Sequence, residues 1–262
     1  MADHPHTSCT ETGCENVQDI TCVRKREVEE SHSSEQTHRH GDQVMSLQPF
    51  PKSQGPVVPY VTSWSEETRQ RPEIIMRTSM GFGFGIAFAD EKVFDRDRDG
   101  VLWTRKTLRH GQGRPRFGDV HSVRQRHAMR RLLCQVCAQP ADRDEDGVLW
   151  LLPDYYAEAE GWPQDYDLAE PPVCRACVPI ATRLCPALRR GHLGIRARSA
   201  PVCGVRGVVY GPSRPAPVPL GDYEVRYDNT TIRWTVADQL LRTLQDCTPV
   251  DLDQYRCHAS DS

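Results

Sequence analysis

The sequence predicts an α+β fold: short antiparallel strands and hairpins around a cysteine-bearing module, with a helix near the C-terminal end. Three observations carry that reading. Gly81-Phe-Gly-Phe-Gly-Ile-Ala-Phe88 alternates small and large apolar residues, which is the period of a strand. Asp95-Arg-Asp-Arg-Asp-Gly-Val-Leu-Trp103 recurs as Asp142-Arg-Asp-Glu-Asp-Gly-Val-Leu-Trp150, and Asp-Gly before an apolar run is a hairpin turn feeding a strand. Cys134-Gln-Val-Cys137 and Cys174-Arg-Ala-Cys177 repeat one tight spacing.

The chain has 262 residues, 38% hydrophobic and 26% charged, enough for one or two packed domains. That composition excludes a collagen-like fibre, a wholly disordered chain and a small disulfide scaffold. No stretch approaches the roughly 18 consecutive apolar residues of a membrane-spanning helix. Residues 1–10 show no basic segment followed by an apolar one, so no secretory signal is visible and a cytosolic chain is expected. In that reducing compartment eleven cysteines read as metal ligands and buried thiols, not as a disulfide framework.

Residues 1–44 read as a disordered leader, polar and without aliphatic periodicity. Its His4, His6, His32, His38, His40, Cys9, Cys14 and Cys22 match no ligand spacing. Met45 opens a different composition and reads as an alternative start, with the leader as an upstream extension. Residues 45–120 are expected to be β-rich. Residues 57–64 suit an edge strand, because Pro59 cannot donate to a ladder. In 81–88, Phe82, Phe84, Ile86 and Phe88 share one face and leave the other bare, so another backbone can approach it. A phosphate-binding glycine loop would need a strand before it, a helix after it and a third glycine, all missing here. The Asp-x-Asp-x-Asp-Gly runs imitate a calcium loop, but Lys106 and Pro153 stand where such a loop needs its bidentate Glu.

Residues 121–133 predict an amphipathic helix, with Val123, Met129, Leu132 and Leu133 inward and Arg124, Arg126, Arg130 and Arg131 outward. A helix over 178–188 follows the second cysteine pair. The C-terminal region, 191–248, is expected to hold short strands over 191–210 and 220–234, with a turn at 228–230. Thr235-Val-Ala-Asp238 resembles a capping box and would open a helix burying Leu240, Leu241 and Leu244. Fraying is expected from about Cys247 and a disordered tail over 249–262.

The net charge of −3 sums large opposed blocks. Residues 104–133 carry nine basic groups against Asp119. Residues 142–170 carry ten acids against Arg143, and residues 171–221 eight arginines and no acid. Such blocks either present a polarised surface to phosphate or pair with each other across the fold. Only four of the 33 basic residues are lysine, a bias that a GC-rich genome also produces.

The two Cys-x-x-Cys pairs provide four thiolates, the ligand set of a closed structural zinc site at Cys134, Cys137, Cys174 and Cys177. Residues 138–173 exceed the usual gap between pairs, and the acidic segment 154–170 reads as an insertion. Cys185 and Cys203 are expected to be buried thiols, although either is placed to replace a ligand. Basic helix, first pair, Asp-Gly hairpin and second pair opening a helix follow in an order that resembles a treble-clef zinc finger over about 121–190. More narrowly, the order resembles the zinc-stapled form of the HNH endonucleases. That resemblance implies structural zinc at the four cysteines but not the activity. The family's hairpin histidines fall where this chain has Val148-Leu-Trp-Leu-Leu152, and the histidine after its last cysteine falls on Val178. His110, His121, His127 and His192 lie outside those positions and read as surface or helix-capping residues. The whole chain is also similar to uncharacterised proteins of high-GC bacteria, which implies no activity. The expected function is non-catalytic: nucleic-acid binding or regulation, with Arg114, Arg116, Arg124, Arg126, Arg130 and Arg131 on phosphates. The rival is a protein-interaction adaptor, and the third reading a divergent metal-dependent nuclease.

Overall fold

Twelve strands and three helices follow one another in the described residues (57–79, 83–158 and 162–255) of this computed structural model. They are β1 (Thr62–Trp64), β2 (Ile74–Ser79), β3 (Gly83–Phe88), β4 (Leu102–Trp103), β5 (Pro115–Val120) and α1 (Ser122–Arg131). Then come β6 (Arg143–Asp144), β7 (Gly147–Pro153), β8 (Tyr166–Leu168), α2 (Val178–Leu184) and α3 (Pro186–Arg190). The chain ends with β9 (His192–Ser199), β10 (Val202–Gly211), β11 (Val218–Arg226) and β12 (Thr235–Val250). The expected leader, Phe82 and residues 256–262 of the expected tail lie outside the described residues.

The fold is mostly β, which corrects the α+β expectation, and among the described residues no α-helix closes the chain, only a short 3-10 turn at Leu252–Tyr255. The segment expected to be that helix is β12, the longest strand. Val236, Leu240, Leu241 and Leu244 do recur at helical spacing, but they are buried because β12 is covered on both faces, where a strand need not alternate. It remains paired through Val250, past the point where fraying was expected, and Leu252 is buried beyond it.

β12 organises an eight-stranded sheet in the order β11-β10-β12-β9-β7-β6. One edge pairs antiparallel first with β10 and then with β9, so that β9 and β10 act as one strand broken at Ala200–Pro201. The other edge takes β4 in parallel and β8 antiparallel. Between those two, the amide of Gln125 does the work of a missing peptide. Its Nε2 donates to the Leu240 carbonyl (2.9 Å) and the Ala169 carbonyl (2.7 Å), and its Oε1 accepts from the Leu240 N–H (2.9 Å). Gln125 thereby fastens α1 to the sheet. Arg242 secures the far end of α1 by donating to the Met129 carbonyl at 2.7 Å and to Ala200, at the break between β9 and β10. The core between α1 and the sheet holds Met129, Trp150, Ile195, Leu240 and Leu244.

Both Asp-Gly copies form the expected turns. Asp97 Oδ1 accepts from the Asp99 N–H and Asp144 Oδ1 from the Asp146 N–H, and Gly100 and Gly147 take positive φ. β6–β7 is a hairpin, whereas β4 goes on to pair with β12. Their carboxylates hold arginines: Asp95 binds Arg105, Asp97 binds Arg130, and Asp142 and Asp144 bind Arg196. β3 has the expected bare face. Arg233 crosses Gly85 so closely that a Cβ there would run into its carbonyl.

Candidate metal centre

Cys134 and Cys137 sit at the tip of a short loop that follows α1. The helix ends with Leu132 in the left-handed region, and the loop closes where Ala141 N–H donates to the Leu132 carbonyl (3.0 Å) and Cys134 N–H to the Gln139 carbonyl (2.7 Å). Ala138 is also left-handed, so its N–H returns to the Cys134 carbonyl at 2.9 Å. Val136 N–H points at Cys134 Sγ, 3.4 Å away. Cys174 and Cys177 form the other half. Pro172 and Val173 run between the loop and β7, and Cys177 N–H turns back to the Cys174 carbonyl (3.0 Å) just before α2 begins. Pro186 then splits the helix expected over 178–188, because Cys185 must be extended before a proline.

The four sulfurs lie within 4.8 Å of one another. The Cys137–Cys174 separation is 3.6 Å, far beyond the roughly 2.05 Å of a disulfide bond. It matches the roughly 3.8 Å edge of a thiolate tetrahedron whose metal–sulfur distance is about 2.3 Å. Cys134 and Cys177 are buried and Cys137 and Cys174 half-buried, among Val136, Leu149, Leu151, Val173, Val178 and Leu188. Hydrogen bonding among the four thiols drives Cys134 far below an ordinary thiol pKa and Cys177 far above it. This donor set fits a soft divalent cation held in an apolar wall. Cys185 packs beside the cluster outside the four, and Cys203 and Cys247 are buried elsewhere.

The six sequence-predicted arginines do not form one face. Arg124, expected outward, is buried: it grips Glu67 with both terminal nitrogens at 2.6 Å and donates to the Tyr60 and Thr62 carbonyls at 2.7 Å. Arg126 is half-buried with its guanidinium over the Trp103 ring, 4.3 Å from the centroid. Arg130 is exposed and pairs with Asp97 at 3.1 Å. Arg131 is exposed, as are Arg114 beside β5 and Arg116 within it. The charge blocks also pair across the fold: Arg196 and Arg198 bind Asp142, Asp144 and Asp146.

Sequence reasoning missed the buried cluster beneath α1, where His121, Glu67 and Arg124 meet. Glu67 and Arg124 stand 57 residues apart, and no spacing rule connects them. His121 takes the N-cap position of α1 but makes no side-chain cap bond, and it is fully buried instead of lying on the surface, its Nε2–H donating to the Thr107 carbonyl at 3.1 Å. His192 does cap, its Nδ1–H reaching the Leu188 carbonyl near the end of α3 at 2.8 Å. No helix among the described residues is long and apolar enough to cross a membrane. No known protein family, curated protein or solved structure matches the chain.

Proposed function

We propose that the protein is a zinc-stapled, non-catalytic nucleic-acid-binding protein. The four-sulfur cluster carries that reading. Zinc held by Cys134, Cys137, Cys174 and Cys177 would clamp the loop after α1 to the start of α2, with no coordination position left for substrate. The order of cysteine loop, hairpin β6–β7, second pair and α2 supports the treble-clef resemblance. Where the HNH layout has hairpin histidines, residues 148–152 pack in the core, which supports a role without nuclease chemistry. Phosphate contact falls to the exposed Arg114, Arg116, Arg130 and Arg131, because Arg124 is buried against Glu67 and Arg126 is half-buried over Trp103.

Purified protein is expected to carry about one zinc per chain and to lose it in the Cys134→Ser/Cys174→Ser double variant. Duplex DNA should bind with an affinity that falls as salt rises. Arg114→Gln with Arg116→Gln should shallow the log–log salt slope by roughly 0.9 per lost contact. Absence of zinc in freshly purified protein overturns the reading. Zinc without duplex binding at low salt assigns the module to a protein partner instead, a role for which the paired charge blocks leave enough exposed arginine.

A further inference from the structure

An open pocket of about 400 Å³ lies beside α1, toward the small end of the roughly 300–1,000 Å³ range of ligand sites. Its wall contains four cations, Lys92, Arg105, Lys106 and Arg126, and one carboxylate, Asp95. Two of the cations are spoken for. Arg105 is held by Asp90 and Asp95, and Lys106 donates to the Val120 carbonyl at 2.7 Å. The other two face rings. Lys92 Nζ lies 5.8 Å from the Phe94 centroid, and the Arg126 guanidinium covers Trp103. Asp97, the carboxylate whose charge Arg126 feels, already accepts from the N–H groups of Asp99, Val101 and Trp103 and from Arg130. Arg126 thus brings a charged fork to the pocket, half-buried, with no acceptor among the described residues. Burial and then the neighbouring Arg130 lower its pKa, and the charge of Asp97 offsets them only in part. Beside these cations Phe94 and Leu108 are 72% and 62% exposed, apolar surface that water covers poorly.

An anionic group for Lys92 and Arg126 with a flat apolar body for Phe94 and Leu108 is the chemistry of one ligand class. We propose that this pocket binds a nucleoside phosphate, its phosphate between Lys92 and Arg126 and its base against Phe94. The phosphate would complete the bidentate geometry that a guanidinium offers, and a base stacks on an aromatic ring without needing edge contacts. The same chemistry is presented by a free mononucleotide and by the phosphorylated end of a strand. This inference stands apart from duplex binding, since Arg114, Arg116, Arg130 and Arg131 do not line the pocket.

Isothermal titration of the full zinc-loaded chain tests it with adenosine 5′-monophosphate, adenosine, inorganic phosphate, and a short oligonucleotide with and without a 5′-phosphate. The monophosphate is expected to bind more tightly than either of its halves. Lys92→Gln and Arg126→Gln should each weaken it about tenfold, the worth of one charge-assisted hydrogen bond. Phe94→Ala should weaken the monophosphate and leave inorganic phosphate unchanged. Lys92 is exposed, so its variant reports on binding even if Arg126→Gln disturbs Trp103. A preference for the phosphorylated oligonucleotide over the monophosphate identifies a strand end as the source, and the reverse preference a free nucleotide. No saturable heat with any phosphate up to about 10 mM, or monophosphate binding that survives both charge variants, overturns the proposal.

Discussion

Replacing Arg124 by methionine separates an arginine that folds the protein from one that touches a partner. Its side chain is 6% exposed and that of Glu67 fully buried. Four hydrogen bonds of 2.6–2.7 Å join the guanidinium to Glu67 and to the Tyr60 and Thr62 carbonyls. Methionine leaves the Glu67 carboxylate with the Trp64 N–H (2.9 Å) and the His121 ring, and strips two buried carbonyls of their donors. Breaking a buried pair from one side costs about 3–5 kcal/mol, so a loss near 4 kcal/mol is expected, a large share of a stability of 5–15 kcal/mol. Glu67→Gln should cost about 3 kcal/mol, because it strands the guanidinium charge but keeps the shape. The double variant should lose less than the sum by about 2 kcal/mol, the coupling of two groups that touch. Urea midpoints at constant m value measure all three, with duplex binding recorded alongside. An Arg124→Met protein within about 1 kcal/mol of the parent that has lost DNA affinity would refute the reasoning and return Arg124 to the surface.

Acid should act on the same cluster. Burial first, and then the charge of Arg124 with a smaller push from Lys106, holds His121 down to about 4 against the pull of the Thr107 carbonyl and Glu67. A histidine kept neutral in the fold contributes fully above its unfolded value of about 6.5 and loses that contribution as pH falls from there to about 4, roughly 3 kcal/mol in all. His121→Asn is expected to flatten denaturation midpoints across that window, and an unchanged slope would count against the buried neutral ring. Glu67 acts lower. Burial would raise its pKa, but the hydrogen bonds from Arg124 and Trp64 and the nearby positive charge outweigh it, so its contribution persists above about pH 4.3 and fades as pH falls through its lowered value. Gln125→Leu removes the amide that stands in for a strand and leaves Leu240 N–H, Leu240 C=O and Ala169 C=O unpartnered; a loss of about 2–4 kcal/mol and faster amide exchange at Leu240 are expected, and wild-type exchange there would refute the bridging role.

What the sequence makes legible is local chemistry. The Asp-Gly turns, the alternating strand at 83–88 and α1 are each decided within a few residues by φ, by period two or by period 3.6. β12 defeats the same rules because its face pattern comes from what covers it. Strands β9 and β10 close one edge, β4, β8 and Gln125 close the other, and none of those partners is announced by residues 235–250. The arginines of α1 fail for a related reason. Helical spacing separates two sides of a helix but does not say how many sides are buried. With the sheet on one side and β1 and Glu67 on another, Arg124 and Gln125 both lie inward.

The four cysteines were legible because a metal imposes its geometry on short spacings, whatever surrounds it. What zinc would stabilise was not, and the connections run well beyond the cysteine loop. Tyr60 N–H donates to the Val136 carbonyl at 2.9 Å and Val61 N–H to the Gln135 carbonyl at 3.2 Å, so the chain entering β1 is paired to the backbone between Cys134 and Cys137. Tyr60 and Thr62 in turn supply the carbonyls that orient Arg124, and Arg124 holds Glu67 beneath α1. A chelator should therefore do more than free the loop. If the four cysteines hold zinc as proposed, removing it takes away the support for β1, and with it the geometry that makes a buried arginine tolerable. Loss of zinc and loss of the Arg124–Glu67 pair should then appear as one cooperative transition, because the same backbone segment serves both.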